Sequence, residues 1–144
     1  MGSDLEQLLH HCLYFTANAL ARQASRMAEE EFRYTGLSPS HAFLLMLVNE
    51  RPGITPMELS RALRLAPSTV TRFVDSLSLK NGLVDRRAAG KATRIYPTDK
   101  GRDLGEQLAS CWRRFYDRYS KLLGEEEGRD LTAAIDRASE KLKG

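Results

Sequence analysis

Apolar residues recur along this chain in two registers, and the switches between them divide it into elements. Leu5, Leu8, Leu9, Cys12, Leu13, Thr16, Leu20 and Met27 fall at helical spacing, which predicts one long amphipathic helix from about Asp4 to Tyr34, closed before Gly36. Ser3 and Glu6 have the spacing of a capping box at its start. Ser38 and Pro39 open a second helix, where Ala42, Leu44, Leu45, Leu47 and Val48 leave almost no polar face, so it belongs at the centre of a core. Pro52-Gly53 stops it. Thr55, Pro56 and Glu58 cap a short third helix with Leu59 and Leu63. After a tight turn from Arg64 to Ala66, Pro67 starts a fourth, backed by Val70, Phe73, Val74 and Leu77. Ala66 stands at the N-cap position, where Ser, Thr or Asp caps better.

Beyond Asn81-Gly82 the period becomes that of strands. Residues 83–87 and 93–96 read as a hairpin joined around Ala89-Gly90, and Pro97, with no N–H to donate, must end the second strand or lie on an edge. Thr98 caps a fifth helix whose stripe, Leu104, Leu108, Cys111, Phe115, Tyr119 and Leu122, runs to Gly124. A last helix from about Glu126 to Leu142 carries Leu131, Ile135, Ala138 and Leu142. Two short helices a few residues apart, followed by a basic hairpin, make a winged helix-turn-helix. The fold class is therefore mainly α with a small β-hairpin wing. The outer helices carry more apolar surface than a small central unit can cover. Residues 1–36 and 99–144 are thus expected to form a helical dimerisation region around a DNA-binding unit, 37–98, in one intertwined domain.

Charge sharpens this picture. The 144 residues carry a net +3, but between Arg61 and Arg102 ten Lys/Arg face three acids, a local +7, while the remainder is −4. A basic middle between mildly acidic ends points to a polyanionic partner. Small polar residues and an arginine open the fourth helix, on the side away from its apolar back. Such an edge suits the DNA major groove. Arg72 can hold a guanine edge or a phosphate, and Ser68, Thr69 and Thr71 can bond either. Ser76, Arg86, Arg87, Lys91 and Arg94 complete the expected DNA-facing set. Alternate strand residues face opposite sides, so Arg87 and Lys91 are expected to face DNA, and Arg86 the flanking backbone or an acid such as Asp75.

The run LSPSHAFLLMLVNERPGITPMELSRALRLAPSTVTRFVDSLSLKNGLVDRR, followed by YPTDKGRDL, resembles the MarR (multiple antibiotic resistance regulator) family from Leu37 to about Leu104. The resemblance implies an obligate homodimer on a pseudo-palindromic operator, usually a repressor, released by small phenolic or lipophilic ligands or by oxidation. It places Ser68, Thr69, Thr71 and Arg72 at groove-facing positions, Asp75 at an acid that orients nearby basic residues, and Arg86 and Arg87 among phosphate-facing basics. The wing departs from the family pattern. Members carry a longer loop with an acid and then an arginine for the minor groove. Here Ala88, Ala89 and Gly90 fill a short tip without the acid, and Lys91 stands where the arginine is expected, so Lys91 is expected to touch phosphate or to enter the minor groove only shallowly.

The remaining chemistry is sparse. A ligand pocket between the first, second and fifth helices would draw on Phe15, His41, Met46, Trp112 and Tyr116, all equally suited to core packing. His10, His11 and His41 do not have metal-ligand spacing, and no cofactor motif, catalytic triad or phosphate-cradling loop is present, so neither a metal, a cofactor nor an enzyme is expected. Cys12 and Cys111 lie on apolar stripes, where inert packing is the usual role. A thiol or peroxide sensor at Cys12 is the alternative, and a winged-helix protein-interaction module is another. With no apolar run long enough for a membrane span and no secretory signal at the start, the chain is expected in the cytoplasm.

Overall fold

The computed structural model describes residues 4–144. In chain order it contains α1 (Asp4–Leu9), α2 (Leu13–Phe32), α3 (Pro39–Glu50), α4 (Pro56–Leu63), α5 (Pro67–Asp75), β1 (Val84–Ala89), β2 (Ala92–Pro97), α6 (Asp99–Asp103), α7 (Gly105–Leu123) and α8 (Glu125–Leu142). A 3₁₀ turn, Arg33–Thr35, follows α2, and a π-helical turn, Ser76–Lys80, continues α5. The fold is mainly helical with a two-stranded antiparallel wing, as the hydrophobic pattern predicts.

The local signals act where the sequence places them. Ser38 accepts the His41 N–H, Pro39 stands in the first turn of α3, and Thr55 and Glu58 form a reciprocal capping box on α4. Ala66 has extended backbone and offers α5 no side-chain cap. Thr98 accepts the Gly101 N–H and donates to Gly82 O at 2.7 Å, joining the foot of the wing to the helix that follows. Around α3 lies the core. Leu44, Leu45 and Val48 are fully buried with Phe32, Leu59, Val70, Leu77, Val84, Ile95 and Leu108, so every element of the winged unit contributes to one cluster.

Two predicted helices are each broken in two. The first is interrupted at His10–Cys12, where Cys12 is extended at φ −94°, ψ 123°. The His11 ring lies 2.8 Å from Gln7 O and occupies a terminal carbonyl of α1, while Cys12 O starts α2. Apolar spacing crosses the break without a change of phase, which is why periodicity alone reads one helix. The Ser3 half of the predicted capping box lies outside the described residues. The fifth helix is divided at Leu104 into α6 and α7. The Asn49 amide donates to Gly101 O at 3.1 Å, taking a carbonyl that would otherwise serve the helical ladder. Asn49 Oδ1 is buried with no partner among the described residues.

The hairpin is longer than expected, and its two-residue tip is Gly90-Lys91 rather than Ala89-Gly90, since Ala89 pairs with Ala92. Gly90 has φ 65°, the left-handed conformation that a tight hairpin turn requires. Pro97 ends β2 opposite Val84. Among the described residues, no helix is long and apolar enough to cross a membrane.

Candidate nucleic-acid interface

The edge of α5 follows from its periodicity. Val70, Val74 and, one turn on, Leu77 are buried, while Ser68, Thr71 and Arg72 are exposed on the opposite side. Thr69 is half-buried at the flank, and Ser76 is half-buried in the π-helical turn. The exposed groups are lightly held. Thr71 Oγ1 donates to Pro67 O at 3.1 Å, leaving its lone pairs available, and Arg72 donates to Thr69 Oγ1 at 3.3 Å. A 3.3 Å bond at an exposed site gives little stability, so Arg72 can exchange it for a base edge or phosphate. Lys100 Nζ donates to Asn81 O at 2.9 Å and fixes the far end of this unit.

The wing is fastened to the reading helix at its base. Register puts Arg86 opposite Ile95, on the inner face, and Arg87 opposite Arg94, on the outer one. Arg86 forms an ion pair with Asp75, and its other Nη donates to Thr71 O at 3.2 Å. It therefore binds the wing to α5. Arg94, expected to face DNA, donates to Gly53 O at 3.0 Å. A bridge between Ile54 and Ile95 joins the same strand to the segment after α3. Arg87 lies over the Tyr96 ring, 4.5 Å from its centroid. Two like charges directly opposite each other are thus drawn to different partners. Lys91 is exposed at the tip beside Gly90. Ser68, Thr71, Arg72, Arg87 and Lys91 remain as exposed polar groups able to meet a polyanion.

Of the predicted ligand-pocket residues, Trp112 and Tyr116 touch, and the others have different neighbours. His41 stacks on Phe73 at 4.2 Å between ring centroids and lies 2.6 Å from Ser38 Oγ. Burial, and secondarily the Lys80 charge, holds its imidazole below the ordinary value. Phe15 meets His10 edge-on at 5.6 Å, and Trp112 stacks on Tyr116 at 5.2 Å. Met46 packs against the core cluster. Tyr116 lines a cavity with Tyr119, Ser120, Gly128, Thr132 and Asp136, and the other four candidates are not in its wall. Cys111 is buried, with Arg114 3.4 Å from its sulfur; Cys12 is half-buried at the break before α2. Among the described residues, no group of three or more His, Cys, Asp or Glu could hold a metal ion.

Comparison with known proteins gives this geometry a family likeness. Residues 35–95, the whole winged unit up to β2, match the model of the MarR family. The chain is 26% identical over 112 residues to the HTH-type transcriptional regulator BilQ of Clostridium symbiosum, covering 76% of this chain and 77% of that protein. CouR, a Rhodococcus jostii RHA1 regulator solved bound to p-coumaroyl-CoA, shares the fold with a TM-score of 0.82 at 20% identity, over 91% of this chain and 94% of that one. A MarR family regulator from Listeria monocytogenes, solved with a 26mer DNA, superposes with a TM-score of 0.75 at 23% identity, over 91% and 89% of the two chains. An exposed polar edge on a helix-turn-helix, a wing fastened beside it and the match over residues 35–95 make the winged unit of this chain similar to that of the MarR family of transcriptional regulators.

Proposed function

We propose that the chain acts as a homodimer on a pseudo-palindromic operator, as a repressor released by a small lipophilic or phenolic effector. The observation that carries the DNA reading is the α5 edge of Ser68, Thr71 and Arg72, exposed over the buried Val70 and Val74. Arg72 reads a base edge, the hydroxyls and Lys91 hold phosphates, and the short wing leaves most specificity to the major groove.

Exposed apolar side chains support the dimer. Among the described residues, apart from Tyr34, Met57 and Leu79, the large exposed hydrophobic residues lie on α1, α2, α7 and α8, Leu8, Leu13, Leu122 and Ile135 among them. Such surface marks a protein contact. In this reading residues 1–36 and 99–144 dimerise and 37–98 read DNA, with paired recognition helices about 34 Å apart. The aromatic CoA thioester on CouR supports an aromatic effector class.

The test is binding of purified protein to the DNA upstream of its own gene, against scrambled DNA, at several salt concentrations. Tight binding that falls steeply with salt and far exceeds scrambled DNA supports the reading. Equal weak binding to both refutes it.

A further inference from the structure

The turn between α4 and α5 holds Arg64 at φ 54°, ψ 45°, the one non-glycine residue with positive φ among the described residues. Glycine or asparagine adopts this conformation more readily, so an arginine here is retained against local preference. The turn itself is firmly closed. Leu65 N–H donates to Ser60 O at 3.1 Å, and Ser60 Oγ donates to Leu65 O at 2.6 Å. The Arg64 side chain thus leaves from a fixed point. Its Nη2 lies 2.8 Å from Asp136 Oδ1 and 2.9 Å from Glu140 Oε1, two acids one turn apart on α8. Around this bridge lies an open cleft of about 540 Å³, walled by Ser60, Arg61 and Leu65 on one side and by Ser139, Leu142 and Lys143 on the other. The bridge is therefore a polar span across space that side chains do not fill.

We infer that Arg64, Asp136 and Glu140 form a strut that sets the angle between the DNA-reading unit and α8. The reading unit runs on into α7 through the bend at Leu104. The core packing of Phe32, Leu108 and Cys111 also joins it to α2 and α7, and the Arg64 bridge, made three residues before α5 begins, adds a contact to α8 on the far side of an open cleft. In a dimer held by the terminal helices, that angle fixes the separation of the two recognition helices. Arg64 is thus a positioning residue for operator spacing and need not touch DNA. The inference rests on the dimeric reading proposed above. All three side chains are about half exposed, so each pair is weak and salt-screened, and the strut biases the angle without freezing it.

The test uses the full chain, with Arg64→Gly, the double change Asp136→Asn/Glu140→Gln, and the charge swap Arg64→Glu/Asp136→Arg/Glu140→Arg. Arg64→Gly keeps the left-handed turn and removes only the side chain. Wild type first selects duplexes from a random pool, and half-site spacing is then changed by one and two base pairs. The first two variants should lose about three- to tenfold of the preference for the selected spacing, as expected from two exposed ion pairs, with single half-site affinity unchanged. The charge swap should restore the preference. Unchanged preference, loss on half-sites equal to loss on full sites, or no restoration by the swap would each overturn the strut. Hydrogen exchange of the free protein separates this inference from the function it rests on. Protection at residues 64–66 and 136–142 should fall in the first two variants while 44–48 stays protected. Should wild type select no duplex, the DNA-reading function fails, and unchanged exchange would still refute the strut.

Discussion

Replacing Gly101 by alanine sets two effects of opposite sign against each other. Gly101 lies inside α6, and helix propensity alone credits alanine with up to about 1 kcal/mol over glycine. A Cβ built there, however, would stand 2.2 Å from Leu83 O, 3.2 Å from Leu83 C and 3.3 Å from Leu45 Cδ1. The Leu83 carbonyl cannot yield freely, because it accepts the Thr98 N–H at 3.0 Å. Overpacking of this kind costs about 1–3 kcal/mol, and a lost backbone hydrogen bond about 1 kcal/mol more. The net expectation is destabilisation by about 2 kcal/mol, roughly a thirtyfold drop in the folding equilibrium constant. Gly105→Ala is the control: its nearest neighbour would be Asn49 Nδ2 at 3.8 Å, ordinary contact, so it should be neutral or stabilising. Urea unfolding at one fixed protein concentration measures both, with unchanged slope confirming the same transition. Should Gly101→Ala prove as stable as wild type, the close approach of α6 to the foot of the wing is not a fixed feature of the fold.

Three further expectations follow from the same geometry. Ala66→Ser supplies the cap that α5 lacks and should raise stability by about 1 kcal/mol, read as a higher urea midpoint; no gain would mean that the hydroxyl cannot reach the first turn. The folded state resists protonating His41, whereas the unfolded chain accepts the proton at the ordinary imidazole value. Stability should therefore be flat above about pH 7 and fall as pH drops from about 6.5 through the lower folded value, and His41→Phe should reduce that slope between pH 5 and 7. Arg72→Ala should lose at least about tenfold in specific DNA affinity by titration at constant salt, and an unchanged affinity would remove Arg72 from the reading edge.

What the chain discloses before its structure is what depends on neighbours in sequence. Ser38, Thr55 with Glu58, Pro67 and Thr98 all signal helix starts within four residues, and each acts where expected. The alternation of strand faces separates Arg86 from Arg87 and anticipates the pairing of Arg86 with Asp75. What stays hidden depends on distant partners. The bend at Leu104 involves an amide 52 positions before Gly101, and Arg94 is captured by a carbonyl 41 positions back. Neither leaves a trace in local periodicity. The break at Cys12 escapes for another reason, since its flanking leucines keep helical phase across it. Phe15, His41, Met46, Trp112 and Tyr116 are nominated for one pocket, but composition does not report proximity, and of the five only Trp112 and Tyr116 are paired by a ring contact.

Fastening the wing by Arg86 to α5 and by Arg94 to Gly53 has a thermodynamic consequence. Much of the cost of binding a surface is the entropy of ordering the loops that meet it. Here both strands of the wing are already held to neighbouring elements below its tip, and mainly the tip and the side chains of Arg72, Arg87 and Lys91 remain to be immobilised. The heat-capacity change on association should therefore match rigid docking of the buried area, without the excess that accompanies coupled folding. Affinity gained this way survives warming better than affinity that must first order a loop, because little conformational entropy is spent at the moment of contact.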